Sequence, residues 1–151
     1  MKTVPSGAFR PLRSLEMLVL DNNFLSSMSQ SALDGLRNLQ ELYLRNNKLL
    51  HIPSEVFSNT LKLSQLALSG NDLKAVTGNV FRHLPELKKL YLQDNPWHCD
   101  CDIMSLVKWI EENKATLSPQ DALKCVSPSE LRNKRLMSLQ VGNMNCSGYI
   151  Y

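Results

Sequence analysis

The sequence predicts an α/β solenoid, a curved parallel sheet made by stacking one short unit on the next, followed by a cysteine-bearing tail. Three observations carry this. The pattern LxxLxLxxN occurs four times, from Leu15, Leu39, Leu63 and Leu87, with starts 24 residues apart. Further apolar residues fall into register with the same period. All four cysteines of the 151-residue chain lie after residue 98. A fixed period outweighs local propensity, because each unit can bury its apolar face only against its neighbours.

In the first three units the frame closes as LxxLxLxxNxL. The residues are Leu15-Leu18-Leu20-Asn23-Leu25, Leu39-Leu42-Leu44-Asn47-Leu49 and Leu63-Leu66-Leu68-Asn71-Leu73. The fourth runs Leu87-Leu90-Leu92-Asn95, with Trp97 in the place of the last Leu. Val4, Met28, Ile52 and Val76 form another column, as do Ala8, Ala32, Val56 and Val80. Phe9, Leu33, Phe57 and Phe81 form a third, and Leu12, Leu36, Thr60 and Leu84 a fourth. Stacked in register, these positions predict an unbroken, almost fully buried core. Thr60 is the one polar intruder, with Leu61 beside it to compensate. The chain opens part-way through a unit, since Met1 falls in the column of Leu25, Leu49 and Leu73. Met1, Val4, Phe9, Leu12 and the strand around Leu18 are therefore expected to present an apolar face and a bare sheet edge.

Within each unit, alternation of apolar and variable residues over LxLxx is the period-2 mark of a half-buried strand. The Asn column belongs where the chain bends out of that strand, its amide bonding backbone groups that no ladder satisfies. Structural need thus explains all four Asn without a ligand. The variable residues point away from the core. They are Met17, Val19, Asp21 and Asn22; Glu41, Tyr43, Arg45 and Asn46; Gln65, Ala67, Ser69 and Gly70; Lys89, Tyr91, Gln93 and Asp94. With strands about 4.8 Å apart, Tyr43 and Tyr91 flank Ala67 and outline a notch that a partner side chain could enter. Tyr and Arg are frequent interface anchors. Equally, tyrosines suit any half-exposed pleated surface.

Composition excludes several classes of function. Hydrophobic content of 43% and charged content of 21% are ordinary for a folded domain. The net charge of +3 is small, and no concentrated basic face of the kind a nucleic-acid binder needs is visible. Arg132, Lys134 and Arg135 form one small basic cluster, which reads as a solvated loop. No run approaches the ~18 apolar residues of a membrane span. Cys99, Cys101, Cys125 and Cys146 are even in number and suggest two disulfides and an oxidising compartment. Zinc is the weaker reading even beside His98, because structural sites supply ligands in two close pairs and only Cys99 and Cys101 are close. His51 and His83 read as solvated surface residues. No nucleophile elbow, phosphate-cradling loop or HExxH occurs, so neither an enzyme nor a bound metal or cofactor is expected.

The repeat resembles the extracellular, 24-residue class of the leucine-rich repeat family. The resemblance covers residues 1 to about 95 and implies a right-handed solenoid whose strands line the concave face. The tail resembles that family's cysteine-rich C-terminal flank through Asn95-Pro96-Trp97, Cys99-x-Cys101, Trp109, Cys125, Pro128, Leu131 and Cys146. The family's pairing, carried over, implies disulfides Cys99–Cys125 and Cys101–Cys146. Asn133 stands where the flank usually has Gly, and Asn tolerates positive φ. Such a flank would lid the open end of the solenoid, as terminal repeats require, with Trp97 covering the last unit. Ile103, Leu106, Val107 and Ile110 give a helix one apolar stripe, with Asp102 as its N-cap. Ser127-Pro128-Ser129-Glu130 reads as a capping box opening a second helical turn.

Two parts are thus expected, repeats over residues 1–95 and a cap over 96–151. Full-length relatives begin with a signal peptide and an N-terminal cysteine cap. The start at Met1, without an apolar leader, therefore reads as a truncated form. The resemblance implies a non-catalytic binding module of a secreted or cell-surface protein, of receptor or adhesion type and including innate immune examples. Its protein ligand would dock on the concave face, with no nucleic acid and no membrane insertion. A structural matrix or carrier subunit, assembling through the uncapped N-terminal edge, is the alternative. An intracellular adaptor would require four free thiols. Asn145-Cys146-Ser147 is a glycosylation sequon, though its middle residue is expected in a disulfide.

Overall fold

The computed structural model describes residues 2–82, 84–113 and 123–139. Each LxxLxLxxN segment contributes one short strand to a four-stranded parallel sheet of order β2-β4-β5-β6. These strands are β2 (Met17–Val19), β4 (Glu41–Tyr43), β5 (Gln65–Ala67) and β6 (Lys89–Tyr91). Their register advances by one 24-residue period, pairing Leu18 with Leu42, Leu42 with Leu66 and Leu66 with Leu90. The ladder runs on past the strand ends, where Leu20, Leu44 and Leu68 donate their N–H to the carbonyls of Tyr43, Ala67 and Tyr91 at 2.8–2.9 Å. A second sheet pairs β1 (Thr3–Val4) with β3 (Ser27–Met28), also in parallel. Between strands the units return through turns, with one 3-10 helix at Gly78–Phe81.

The Asn column is the hinge of every bend. Asn71 is almost fully buried, and its Nδ2 donates to the carbonyls of Leu44, Leu68 and Ser69. Its Oδ1 accepts from Leu49 N–H at 3.1 Å. Asn47 and Asn95 repeat this arrangement one unit to either side. One amide therefore satisfies its own bend and the preceding one, as polar groups at such depth must be satisfied. One residue earlier, Asn22, Asn46, Gly70 and Asp94 all take positive φ, between 59° and 70°. These four are not the free surface positions they look like in sequence. They hold a left-handed backbone that only such residue types adopt readily.

The apolar columns are buried from the second unit onward, Leu39, Leu42, Leu44, Leu63, Leu66, Leu68, Leu90 and Leu92 having no exposed surface. The first unit is looser. Leu15, Leu18 and Leu20 are half-buried, Ala8 is exposed and Leu12 is 46% exposed. Val4, expected to face solvent, is instead fully buried through its pairing with Met28. Met1 lies outside the described residues. Thr60 is buried and donates to the Phe57 carbonyl at 3.2 Å. It satisfies itself, so Leu61 compensates for nothing and stands 55% exposed.

Trp97 closes the last unit, 1% exposed, with Nε1 donating to the Leu92 carbonyl at 3.2 Å. Beyond it the Cys99–Cys125 disulfide is formed, with Cα atoms 5.7 Å apart. Cys101 is not a free thiol, but its expected partner Cys146 lies outside the described residues, as do Asn145 and His83. Helix α1 (Met104–Glu112) buries Met104, Leu106, Val107 and Ile110, the apolar stripe read from the sequence. Its entry differs from expectation. A 3-10 turn over Cys101–Ile103 precedes it, and Asp100 rather than Asp102 supplies the cap, accepting from Asp102 N–H at 2.9 Å. The second turn, Ser129–Leu131, forms without the capping box, because the Ser127 hydroxyl is engaged by His98 Nδ1 at 2.7 Å. Asn133 takes φ 69°. Phe81 meets Trp109 with ring centroids 5.0 Å apart, and Gly78 N–H donates to Ser105 Oγ at 3.2 Å. These contacts press α1 onto the last complete unit. No helix among the described residues is long and apolar enough to cross a membrane.

Candidate functional site

The outward face of the parallel sheet is set by strand parity: Leu18, Leu42, Leu66 and Leu90 point inward, so their neighbours point out. Two cross-strand rows lie within the strands, Met17-Glu41-Gln65-Lys89 and Val19-Tyr43-Ala67-Tyr91. A third, Asp21-Arg45-Ser69-Gln93, follows at the bend. The fold thus gathers all twelve expected positions on one face, but they are unequally accessible. Met17 is 48% and Val19 55% exposed. Arg45 and Lys89 are exposed, and Asp21, Glu41, Tyr43, Gln65, Tyr91 and Gln93 are half-buried. Ala67 and Ser69 are buried. The expected notch between the tyrosines therefore has no open floor, because a lone methyl between two large side chains in register is shut off from solvent.

Links between units fix several of these side chains. Arg45 Nε and Nη2 both donate to Asp21 Oδ2, at 3.0 and 2.7 Å, while Asp21 Oδ1 accepts from Arg45 backbone N–H at 2.7 Å. The hydrogen bond it donates to Asp21 is the main reason the guanidinium is held even more firmly protonated than usual. The same guanidinium lies over the Tyr43 ring, 5.1 Å from its centroid, a cation–π arrangement. The Tyr43 hydroxyl donates to Glu41 Oε1 at 2.5 Å, with Gln65 Oε1 a second acceptor at 3.2 Å. That bond to a carboxylate, followed by burial, pushes the phenol up to about 12. Gln93 Oε1 is buried without a hydrogen-bond partner among the described residues.

Phe24, an exposed aromatic, was not among the expected residues. It is 63% exposed, with Lys48 Nζ 5.7 Å from its ring centroid. Its offset falls after the Asn column, outside the strand pattern that singled out the others.

A stacked parallel sheet with an inward Leu ladder, an Asn hinge and a disulfide-linked C-terminal end defines a solenoid scaffold protein. The leucine rich repeat family model matches residues 1–49 and 37–96. The chain belongs to the leucine rich repeat family. Over 55 residues it is 34% identical to trophoblast glycoprotein of Homo sapiens, a match covering 36% of this chain and 13% of that protein. Over 60 residues it is 38% identical to SLIT and NTRK-like protein 6 of Mus musculus, covering 39% of this chain and 7% of that protein. The matched segments thus span a small part of either relative. Among solved structures, the crystal structure of the mouse RP105/MD-1 complex aligns with a TM-score of 0.77 and 27% identity, covering 88% of this chain and 22% of the other.

Proposed function

We propose that the chain is a non-catalytic binding module of a secreted or cell-surface protein, and that a protein partner docks on the outward sheet face. The observation that carries this is the fixed display of Tyr43, Arg45 and Glu41. Asp21, Gln65 and the Arg45–Tyr43 stack hold these side chains before any partner arrives. Anchors ordered in advance lose less freedom on binding, and Tyr and Arg are the residue types that dominate interface energetics. Exposed Met17 and Val19 extend the row with apolar area. The Cys99–Cys125 bond supports an oxidising compartment. The RP105 structure, solved as a complex with MD-1, supports a protein rather than a small molecule as the ligand class.

A panel of extracellular ectodomains displayed on cells tests the reading. A partner that binds the wild-type chain should bind Tyr43→Ala/Tyr91→Ala at least about tenfold more weakly, the effect of losing about 1.4 kcal/mol. An unchanged affinity in a variant with an unchanged melting curve contradicts it. The matrix-subunit alternative has one observation in its favour. The edge of β2 facing away from β4 carries no partner strand in the four-stranded sheet. Light scattering that finds a stable monomer argues against that alternative.

A further inference from the structure

At the edge where the chain turns into each strand, the 24-residue period gathers cations that are far apart in sequence. A cavity of about 660 Å³ is lined by Arg10, Arg13, Arg37 and Lys62, with Asp34, Gly35, Asn59 and Leu61 completing its wall. It shares the Leu61 and Lys62 wall with a second cavity of about 310 Å³, which adds Lys88 and Glu86. The cations are therefore spread along the solenoid axis, across four successive turns, rather than clustered at one point. A groove of this size and length exceeds what a single small anion would fill.

The charge balance in the groove is positive. In the larger cavity four cations face one carboxylate, and that carboxylate is occupied: Asp34 Oδ2 lies 3.6 Å from Arg10 Nη2, and Asp34 Oδ1 accepts from Asn59 Nδ2. Neither Arg13 nor Arg37 forms a salt bridge among the described residues. Glu86 beside Lys62 and Lys88 is the one opposing carboxylate of the smaller cavity. The wall is also held in shape. Asn38 Nδ2 donates to the Arg13 carbonyl at 2.8 Å, and Asn38 Oδ1 accepts from Lys62 Nζ at 2.9 Å, which links three turns. Gly35 takes φ 90°, and a Cβ there would come within 2.7 Å of the Arg10 carbonyl oxygen. Only glycine lets the second turn close onto the first at this point.

We propose that this groove binds a linear sulfated polysaccharide, setting sulfate or carboxylate groups of successive sugar rings against the cations of successive turns. Turns repeat at about the 4.8 Å spacing of strands, so a chain lying along the axis meets a new cation at each step. Binding of this kind is electrostatic and weakens with added salt, which makes release of the polyanion's counterions less favourable and screens the charges. The choice of a polysaccharide over a nucleic acid rests on the extracellular reading above, whereas the site itself does not depend on the sheet face.

The test is binding of the full chain to immobilised heparan sulfate across a salt series. The wild type should bind at physiological salt, and inorganic sulfate at equal charge should compete poorly. Arg13→Gln/Arg37→Gln should bind at least tenfold more weakly, with the salt slope reduced by about two, one per cation removed. Arg132→Gln/Lys134→Gln, on the basic cluster of the C-terminal flank, should bind as the wild type does, as should Tyr43→Ala/Tyr91→Ala. The last variant separates this site from the protein-docking face. A wild type that does not bind, an equal loss in the flank variant, or single-stranded DNA bound as tightly as heparan sulfate would each overturn the proposal. Circular dichroism melting confirms that the glutamine variants remain folded.

Discussion

Asn71 shows how much of this fold depends on single polar side chains. Four backbone groups from two successive units converge on one amide. Removing it leaves buried donors and acceptors without partners, each costing about 1–3 kcal/mol. Asn71→Ala should therefore lower unfolding stability by about 3–5 kcal/mol in urea titration. Asn23, half-buried and bonded among the described residues to the carbonyls of Leu20 and Asp21, should cost less than half as much when replaced. Tyr43 makes a separate prediction. Its folded pKa lies above the ordinary value of 10.0, at about 12, chiefly through the bond to Glu41. The stability linked to its protonated form is complete below pH 10 and is lost as pH rises towards 12. In a phenolate absorbance titration, Tyr43→Phe should remove a component that ionises near 12. A difference component near 10 would show that the Glu41 bond is not kept in solution. At this scale the sequence was only partly informative. Its period located the Asn column, but a period cannot distinguish Asn22, Asn46, Gly70 and Asp94 from ordinary variable residues. What sets them apart is a backbone angle.

Elements were most legible where a pattern repeats. The four strands and the stripe of α1 follow from apolar spacing, because burial is nearly the whole reason for both. Ends were less legible. The cap of the Cys101–Ile103 turn fell to Asp100, and Ser127 left its expected capping role for His98, since local motifs compete with tertiary partners for the same hydroxyl or carboxylate. The packing of α1 on the last complete unit also has no signature in the chain. Gly78 makes it possible, for a Cβ there would lie 2.5 Å from the Ser105 carbonyl oxygen and 2.8 Å from Trp109 Cβ. Gly78→Ala should force the helix outward and cost about 1–3 kcal/mol, as overpacking does. The loss should appear as a lower thermal midpoint together with a changed Trp fluorescence spectrum, because Trp109 sits at that contact. An unchanged spectrum and midpoint would mean that the helix does not bear on the unit as closely as described.

The whole molecule is a stack whose two long surfaces have different chemistry. The sheet face carries tyrosines, an arginine and exposed aliphatic side chains held by links between units. The turn edge carries an excess of cations over carboxylates. The sheet face was visible in the sequence because strand parity assigns its residues directly. The turn edge was not, because Arg10, Arg13, Arg37 and Lys62 are separated by up to two repeats and a near-neutral composition hides them. Listing charge by column of the period, rather than along the chain, would have exposed the edge. Ala67 and Ser69 mark the opposite failure, being in the correct column yet closed to solvent by their neighbours. The sheet face is where we propose that a protein partner docks. Hydroxyl-radical footprinting, with the chain alone and then bound to a captured ectodomain, reads this directly because Met and Tyr side chains are reactive and stand on that face. Met17, Tyr43 and Tyr91 should lose reactivity together in the complex. All three remaining as reactive as in the free chain, with protection appearing on another surface, would contradict it.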